Sequence, residues 1–315
     1  MITIITPGPI ASGQLDPKST KFAIQSPEPS KRYAKYPLYG TFNFMHIPEA
    51  IISDADGTLV DTLHLIRHGQ YETSSTYLAQ QGIDPSEIPS YEEYEALLNR
   101  TVGGSTRDVL EKTVRLLYEG QPHRLDRLDF DALHDLLNPI QDKIAPEFVK
   151  AYDGLSNFLS GLGQLGVSLA VFTSGSPHHI VRNFGVALPE LGLTTLSQEQ
   201  GRSDHDKLAQ FETAVQNHFS IPGFTVVTCE DVVTHKPDPA SLILAMERLG
   251  VRPEKTWVLG DHKVDMQAGI NAGAAERVGI THGFDDRQTL LNAGATRIVN
   301  SLDELTATLI SVAEH

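Results

Sequence analysis

The alternation of helical and strand patterns after residue 154 limits the possible folds of this chain more than any other feature. The helical segment LSNFLSGLGQL leads into the apolar strand pattern VSLAVFT, and four further strand patterns follow, with helical segments among them: FTVVTC, TWVLG, ERVGI and RIVN. Strands separated by helices predict a parallel sheet with helices on both faces. Ligands of such sheets bind at the carboxyl ends of the strands. We therefore expect an α/β protein with a Rossmann-like parallel sheet.

The chain also contains a long region with helical patterns only. The buried strand pattern IIS at 51–53 precedes it, and its segments, such as YEEYEALLNR and TRDVLEKTVRLLYEG, place apolar residues three and four apart. We predict an all-helical cap domain at 64–149, inserted into an α/β core formed by 46–63 and 150–315. Residues 1–45 lack sustained periodicity and are predicted to be a flexible tail.

Composition narrows the range of partners. The formal net charge is −15, so the surface is expected to repel nucleic acid and anionic membranes. No apolar stretch approaches the roughly 20 residues that a membrane helix needs. Cys229 is the only cysteine, which rules out an internal disulfide, and the N-terminus does not resemble a secretory signal. These features favour a cytoplasmic location, and they leave the oligomeric state open.

An acidic turn, DADG, follows the first strand pattern. Asp54 and Asp56 are two residues apart, and two such carboxylates can divide the work of nucleophile and proton carrier. Gly57 lets the chain turn sharply after them. An EF-hand calcium loop is excluded because its glycine is the sixth loop residue, whereas Gly57 is the fourth of this segment. From these residues alone, a solvated acidic turn remains the alternative.

A second polar turn follows the strand pattern LAVF. Thr173, Ser174 and Gly175 lie between this strand and a helix expected to begin at Pro177. A hydroxyl group and backbone amides at such a position can bind phosphate. Polar turns after strands are common, so this pattern alone also fits an ordinary turn.

Two later segments add a cation and two acids. Lys236 precedes a proline in a non-helical turn, from which its ammonium could face developing negative charge or solvent. Asp261 ends the strand pattern TWVLG and offers an oxygen ligand suited to Mg2+. Asp265, one helical turn later, could hold Lys236 in place. The GDxxxD spacing is equally compatible with a helix N-cap.

Taken together, these segments resemble the haloacid dehalogenase superfamily. DADGTLVDT, LAVFTSGS, HKPDP and VLGDHKVDMQAGINAGA match its four motifs in order, and the helical segment follows the first motif as in helical-cap members. The resemblance implies that Asp54 is the nucleophile and forms an aspartyl-phosphate, and that Asp56 is the general acid and base. It also implies that Mg2+ is bound by Asp54, the Asp56 carbonyl and Asp261, with Asp265 in support.

The same resemblance implies how a phosphorylated substrate is bound. Thr173 and Lys236 would bind the transferring phosphoryl group, together with Ser174 and Gly175. In the cap, Arg107 follows a glycine-rich loop and could contact a second anionic group, although a solvated arginine fits as well. The adjacent His178 and His179 are expected at the surface.

The predicted function is that of a Mg2+-dependent phosphatase acting on a small phosphorylated metabolite. The region after VLGD is similar to phosphoglycolate phosphatases, which makes phosphoglycolate the leading candidate substrate. A sugar-phosphate mutase, a pyrophosphatase, a nucleotidase and a non-catalytic binding protein remain alternatives. A dinucleotide-binding oxidoreductase is disfavoured because the glycine-rich segment at 161–166 ends a helix and precedes a strand, the reverse of the order required. The segment at 187–219 is longer than the resemblance leads us to expect.

Overall fold

The computed structural model describes residues 46–101 and 105–314, so the predicted tail at 1–45 lies outside the described residues. The strands are β1 (Ala50–Ser53), β2 (Val60–Asp61), β3 (Lys150–Ala151), β4 (Ser168–Phe172), β5 (Phe224–Val227), β6 (Thr256–Gly260), β7 (Glu276–Ile280) and β8 (Arg297–Val299). The helices are α1 (Leu63–Gln80), α2 (Tyr91–Thr101), α3 (Thr106–Leu117), α4 (Pro122–Leu125), α5 (Phe130–Phe148), α6 (Leu155–Leu165), α7 (Pro177–Ala187), α8 (Asp204–Phe219), α9 (Ala240–Leu249), α10 (Lys263–Ala272), α11 (Arg287–Asn292) and α12 (Leu302–Ala313).

Six of the strands form one parallel sheet in the order β5-β4-β1-β6-β7-β8. The first strand is central, with Ile51 paired to Leu169 of β4 on one side and to Trp257 of β6 on the other. All four residues of β1 are buried, as expected for a strand covered on both faces. The predicted α/β fold with a parallel sheet is confirmed, and each of the six predicted strand patterns forms a strand.

The elements between β2 and β3 are helical throughout the described residues, and we call α1 to α5 the helical insert. Strands β2 and β3 pair antiparallel where the chain enters and leaves this insert, with Val60 opposite Ala151. Neither strand was expected, because two residues are too few to show a periodic pattern. No helix in the described part of the chain is long and apolar enough to cross a membrane.

The long segment at 187–219 belongs to the connection between β4 and β5. It contains two short 3-10 helices and then α8. One face of α8 is apolar and buried in the main core beside α7, through Leu208, Phe211, Val215 and Phe219. This segment therefore covers one face of the sheet.

Candidate active site

The end of β1 brings the first acidic pair to the edge of the sheet. The Asp54 backbone amide donates to the Leu259 carbonyl of β6 at 2.9 Å, which extends the pairing of the two strands by one residue. The chain then turns at Gly57, whose φ is +86°. A Cβ atom at this position would lie 2.4 Å from Oδ2 of Asp261. Both the backbone conformation and the close approach of Asp261 therefore require glycine here.

Asp54 is buried beside a cation. Its Oδ1 contacts Nζ of Lys236, and its Oδ2 lies 3.3 Å from Thr58 Oγ1. Burial raises the pKa of Asp54 to about 6, against the opposing attraction of Lys236. Without a further cation, the Asp54 carboxyl group would therefore stay protonated to a higher pH than an ordinary aspartic acid.

Lys236 lies in the turn before α9 and is held between two acids. Its Nζ is 2.9 Å from Asp265 Oδ1 in addition to its contact with Asp54. The ammonium also lies 3.7 Å from the centre of the Phe172 ring. Burial alone would lower the pKa of Lys236, but Asp265 and Asp54 outweigh it and raise the pKa above its usual value. The lysine therefore stays charged. Asp265 contacts its ammonium, which is the contact predicted for this pair from the sequence.

Three acids form a buried cluster at the ends of β1 and β6. Asp54, Asp261 and Asp265 each offer an oxygen, and these oxygens lie within 4.8 Å of one another. Asp261 accepts hydrogen bonds of 2.7 Å from Thr58 Oγ1 and from the Phe284 amide. Burial and the charges of Asp54 and Asp265 raise the pKa of Asp261 well above its usual value.

This cluster fits a divalent cation. Within the described residues, only Lys236 forms ion pairs with these three carboxylates, so the ionised cluster has an excess of negative charge. Carboxylate oxygens are the ligands that Mg2+ prefers. A cation at this position would offset both the burial and the mutual repulsion that raise the pKa values of Asp54 and Asp261.

Asp56 has a different set of partners. Its Oδ1 accepts hydrogen bonds from Thr62 Oγ1 at 2.8 Å and from Asn183 Nδ2 at 3.1 Å. Its Oδ2 accepts a longer one, at 3.4 Å, from Thr173 Oγ1. Burial, and then the charge of Asp54, raise the pKa of Asp56. The hydroxyl and amide donors favour the ionised form, but burial and the charge of Asp54 outweigh them, so the carboxyl group is disposed to carry a proton.

A cavity of about 400 Å³ opens above these side chains. From the sheet side it is lined by the predicted residues Asp54, Asp56, Thr173, Ser174, Gly175, Lys236, Asp261 and Asp265. The Gly175 amide donates to Thr173 Oγ1 at 2.9 Å. From the helical insert it is lined by Ile66, Arg67, Gln70, Leu98, Asn99, Thr106 and Val109, among others. The cavity thus lies between the insert and the carboxyl end of the sheet.

Arg107 does not line the cavity with the other predicted residues. Thr106 lines the cavity, but Arg107 is exposed and, among the described residues, is not part of its lining. Arg67 of α1 does line it, and its guanidinium lies 3.2 Å from Glu95. Arg67 lies in a helical pattern, and periodicity alone does not mark which residues of such a pattern line a cavity.

The expectation of a surface position for His178 and His179 is wrong. Both are buried, because the polar face of α7 packs against α5 of the insert. Nε2 of His178 lies 2.8 Å from Asp142 Oδ1, and Nε2 of His179 lies 3.0 Å from Asn138 Oδ1. Burial lowers the pKa of His179 well below its usual value.

The sequence pattern that defines the haloacid dehalogenase-like hydrolases matches residues 48–273. This range contains Asp54, Asp261 and the whole helical insert. The chain belongs to this family. The prediction of a hydrolase in the haloacid dehalogenase superfamily is thereby confirmed.

Related proteins of this hydrolase family cover most of the chain. A phosphorylated carbohydrates phosphatase of Thermotoga maritima is 25% identical over 80% of this chain and 94% of its own length. A phosphoglycolate phosphatase of Agrobacterium fabrum is 25% identical over 75% of this chain and 81% of its own length. The crystal structure of CbbY from Rhodobacter sphaeroides, in complex with phosphate, shares the fold, with a TM-score of 0.53, 23% identity and coverage of 82% and 96% of the two chains.

Proposed function

We propose that this hydrolase is a Mg2+-dependent phosphatase that cleaves a small phosphomonoester through an aspartyl-phosphate intermediate on Asp54. The observation that carries the proposal is a pair of carboxylates at the base of one cavity: the buried Asp54, which contacts an ammonium, and the half-buried Asp56, which accepts hydrogen bonds from neutral donors. Two relatives that are named as phosphatases, each aligned over at least three quarters of this chain, support the same reaction class.

Asp54 is the nucleophile. Its carboxylate attacks phosphorus, the phosphorus–oxygen bond to the leaving group breaks, and the phosphoryl group is transferred to Asp54. Lys236 is in contact with the attacking carboxylate and is positioned by Asp265, so its charge offsets the negative charge of the transferring group. Thr173, Ser174 and Gly175 line the same part of the cavity and bind the phosphoryl oxygens.

Asp56 carries the proton. In the first step it protonates the leaving alkoxide, and in the second it removes a proton from the water that hydrolyses the aspartyl-phosphate. Its raised pKa, caused first by burial, favours the protonated form that the first step needs. Asp54 and Asp261, with the Asp56 carbonyl, would hold Mg2+, which would supply positive charge for the phosphoryl oxygens.

The helical insert acts as the cap at 64–149 that the sequence predicts, and it covers the substrate. A cavity of about 400 Å³ bounded by the insert is suited to a small metabolite. Phosphoglycolate remains the leading candidate, supported by the name of one relative, and sugar phosphates are supported by the name of another. Arg107 is retained as a candidate contact for a second anionic group.

The test is phosphate release from a panel of phosphoglycolate, sugar phosphates, nucleotides and pyrophosphate with Mg2+. We expect release to stop with EDTA and in Asp54→Asn, and to continue in Asp153→Asn, which changes an exposed acid outside the cavity lining. NMR of a hexose 1-phosphate reaction would detect conversion to the 6-phosphate, which is the result expected of a mutase. Full turnover by Asp54→Asn would refute the proposal.

A further inference from the structure

We infer that Asn183 is a positioning residue for Asp56, and that Arg182 and Asp142 hold it in place across the contact between α7 and the helical insert. This inference rests on the proposed function, since it assigns a role in the proton transfer by Asp56. None of the three residues belongs to the four sequence motifs.

Asn183 fixes one oxygen of Asp56. It is only 3% exposed, and its Nδ2 donates to Asp56 Oδ1, the oxygen that also accepts from Thr62. Two donors on one oxygen restrict rotation of the carboxyl group about its last bond. The other oxygen, Oδ2, accepts only the longer hydrogen bond from Thr173 within the described chain, so it is the oxygen left to exchange a proton with substrate or water.

The orientation of the Asn183 amide is set by its neighbour. Nε of Arg182 donates to Asn183 Oδ1 at 2.9 Å. With the amide turned over, this donor would face the Asn183 amino group, and Asp56 would face the amide oxygen, so both contacts would become repulsive. The Asn183 amino group is therefore directed at Asp56.

Arg182 in turn depends on the helical insert. Arg182 is only 3% exposed, and a buried charge is costly unless it is paired. Its Nη1 donates to Asp142 Oδ1 at 3.4 Å, and Asp142 also lies within 2.8 Å of His178 Nε2. Asp142 lies on α5, so the contacts run from the insert through α7 to the acid of the site.

Loss of these contacts should affect the proton transfer by Asp56 but not the nucleophilic attack by Asp54. Asn183 contacts Asp56, whereas Asp54 is held by Lys236 and Thr58. An alkyl leaving group needs a proton as it departs, but p-nitrophenolate is stable without one. The value of kcat/KM reports the steps up to transfer of the phosphoryl group, so comparing it for the two esters isolates proton donation.

The experiment compares kcat/KM for p-nitrophenyl phosphate with that for the alkyl ester of the panel that is cleaved fastest. The variants are Asn183→Ala and the nearly isosteric Asn183→Leu. We expect a loss of about 10- to 100-fold for the alkyl ester, part of the range that a general acid supplies, and a loss below about threefold for p-nitrophenyl phosphate. The matched control Asn157→Ala removes an exposed amide that donates to Asp303, and it should leave both values unchanged.

An equal loss for the two esters, or no loss for either, would overturn the assignment of Asn183. Asp142→Asn should show the same selective loss at about three- to tenfold, and an unchanged Asp142→Asn would remove the insert from the inference. Failure of the proposed function is distinguishable, because it would appear as hydrolysis of both esters by Asp54→Asn whatever the Asn183 variants do.

Discussion

Asp54 and Asp56 follow the same strand, both are withdrawn from solvent, and burial raises the pKa of both, yet their surroundings differ. Asp54 belongs to a charged region, with Lys236 in contact and the carboxylates of Asp261 and Asp265 nearby. Asp56 belongs to a region of hydrogen-bond donors, among them the Thr62 hydroxyl and the Asn183 amide.

This difference indicates how one residue type can serve two functions two positions apart. A carboxylate next to an ammonium and a candidate cation site is kept ionised when the cations are present, as a nucleophile must be. A carboxyl group whose protonated form is favoured by burial, and whose ionised form is favoured by hydroxyl and amide donors, can gain and lose a proton. If the two regions act separately, a change in the charged region should leave the proton transfer by Asp56 intact.

Removal of the Lys236 ammonium should have the largest effect. Lys236→Met should lower kcat by about 10²- to 10³-fold for all phosphomonoesters, because an ammonium directed at the phosphoryl group is lost. The loss should be the same for p-nitrophenyl phosphate as for an alkyl ester, since Asp56 is left intact. Steady-state kinetics with both substrates provides the measurement.

Lys143→Met is the matched control, because Lys143 is an exposed lysine of α5 outside the cavity lining. It should retain wild-type rates. A Lys236→Met enzyme with wild-type kcat, or one impaired only with alkyl esters, would contradict the division between the two regions.

An intermediate effect is expected at the turn between the two acids. Gly57→Ala combines a positive φ with a Cβ 2.4 Å from Asp261 Oδ2, whereas Gly82→Ala has a positive φ and no atom within 4 Å of its Cβ. Gly82→Ala should cost about 1 kcal/mol of unfolding free energy through backbone strain alone. Gly57→Ala should cost more, about 2–4 kcal/mol in total, because Asp261 must move.

Urea denaturation of the two glycine variants measures the difference in unfolding free energy, and kinetics at varied Mg2+ measures its consequence. We expect Gly57→Ala to require more Mg2+ for half-maximal rate and Gly82→Ala to require the same amount as the wild type. Equal unfolding free energies and equal metal requirements for the two variants would show that Asp261 does not confine this turn.

The smallest effect concerns pH and metal together. The folded pKa of Asp54, about 6, lies above its ordinary value of 3.8. The metal-free folded state therefore binds more protons than the unfolded state, and the stability that Asp54 contributes below about pH 4 is lost as the pH rises through 6. Saturating Mg2+ should restore it, raising Tm by about 5 °C near pH 7.5 and by less near pH 5, where protons compete.

Differential scanning fluorimetry at the two pH values measures this shift. Asp261→Asn should abolish most of it, whereas the exposed Asp84→Asn should leave it unchanged. A shift of equal size at both pH values would argue against these carboxylates as the metal ligands.

Asp54 and Asp261 of the charged region, and Thr173 beside it, could be predicted from the sequence because they lie at strand ends. Asp54, Thr173 and Asp261 each follow an apolar strand pattern directly, and parallel strands bring such positions to one edge. The six strands of the sheet could also be predicted, because each is a short, largely apolar run. The two-residue strands at the ends of the insert were too short to show any period.

Of the region around Asp56, only Asp56 and Thr173 could be predicted from the sequence as site residues. His178, His179, Arg182 and Asn183 form one polar face of α7, and a polar helix face is usually solvated. Helical periodicity gives the composition of a face but not the element that it packs against. Only the packing of α7 on α5 shows that this face is buried and that Asn183 contacts Asp56.

The most direct test of the division between Asp54 and Asp56 is a rapid-mixing experiment with p-nitrophenyl phosphate and Mg2+. Asp56→Asn should release about one equivalent of p-nitrophenolate per enzyme and then almost stop, because the phosphoryl group reaches Asp54 but water is not activated to remove it. Mass spectrometry of the quenched protein should then find that phosphoryl group on Asp54, and Asp54→Asn should give no burst. A burst from Asp54→Asn, or a phosphorylated residue other than Asp54, would contradict the account.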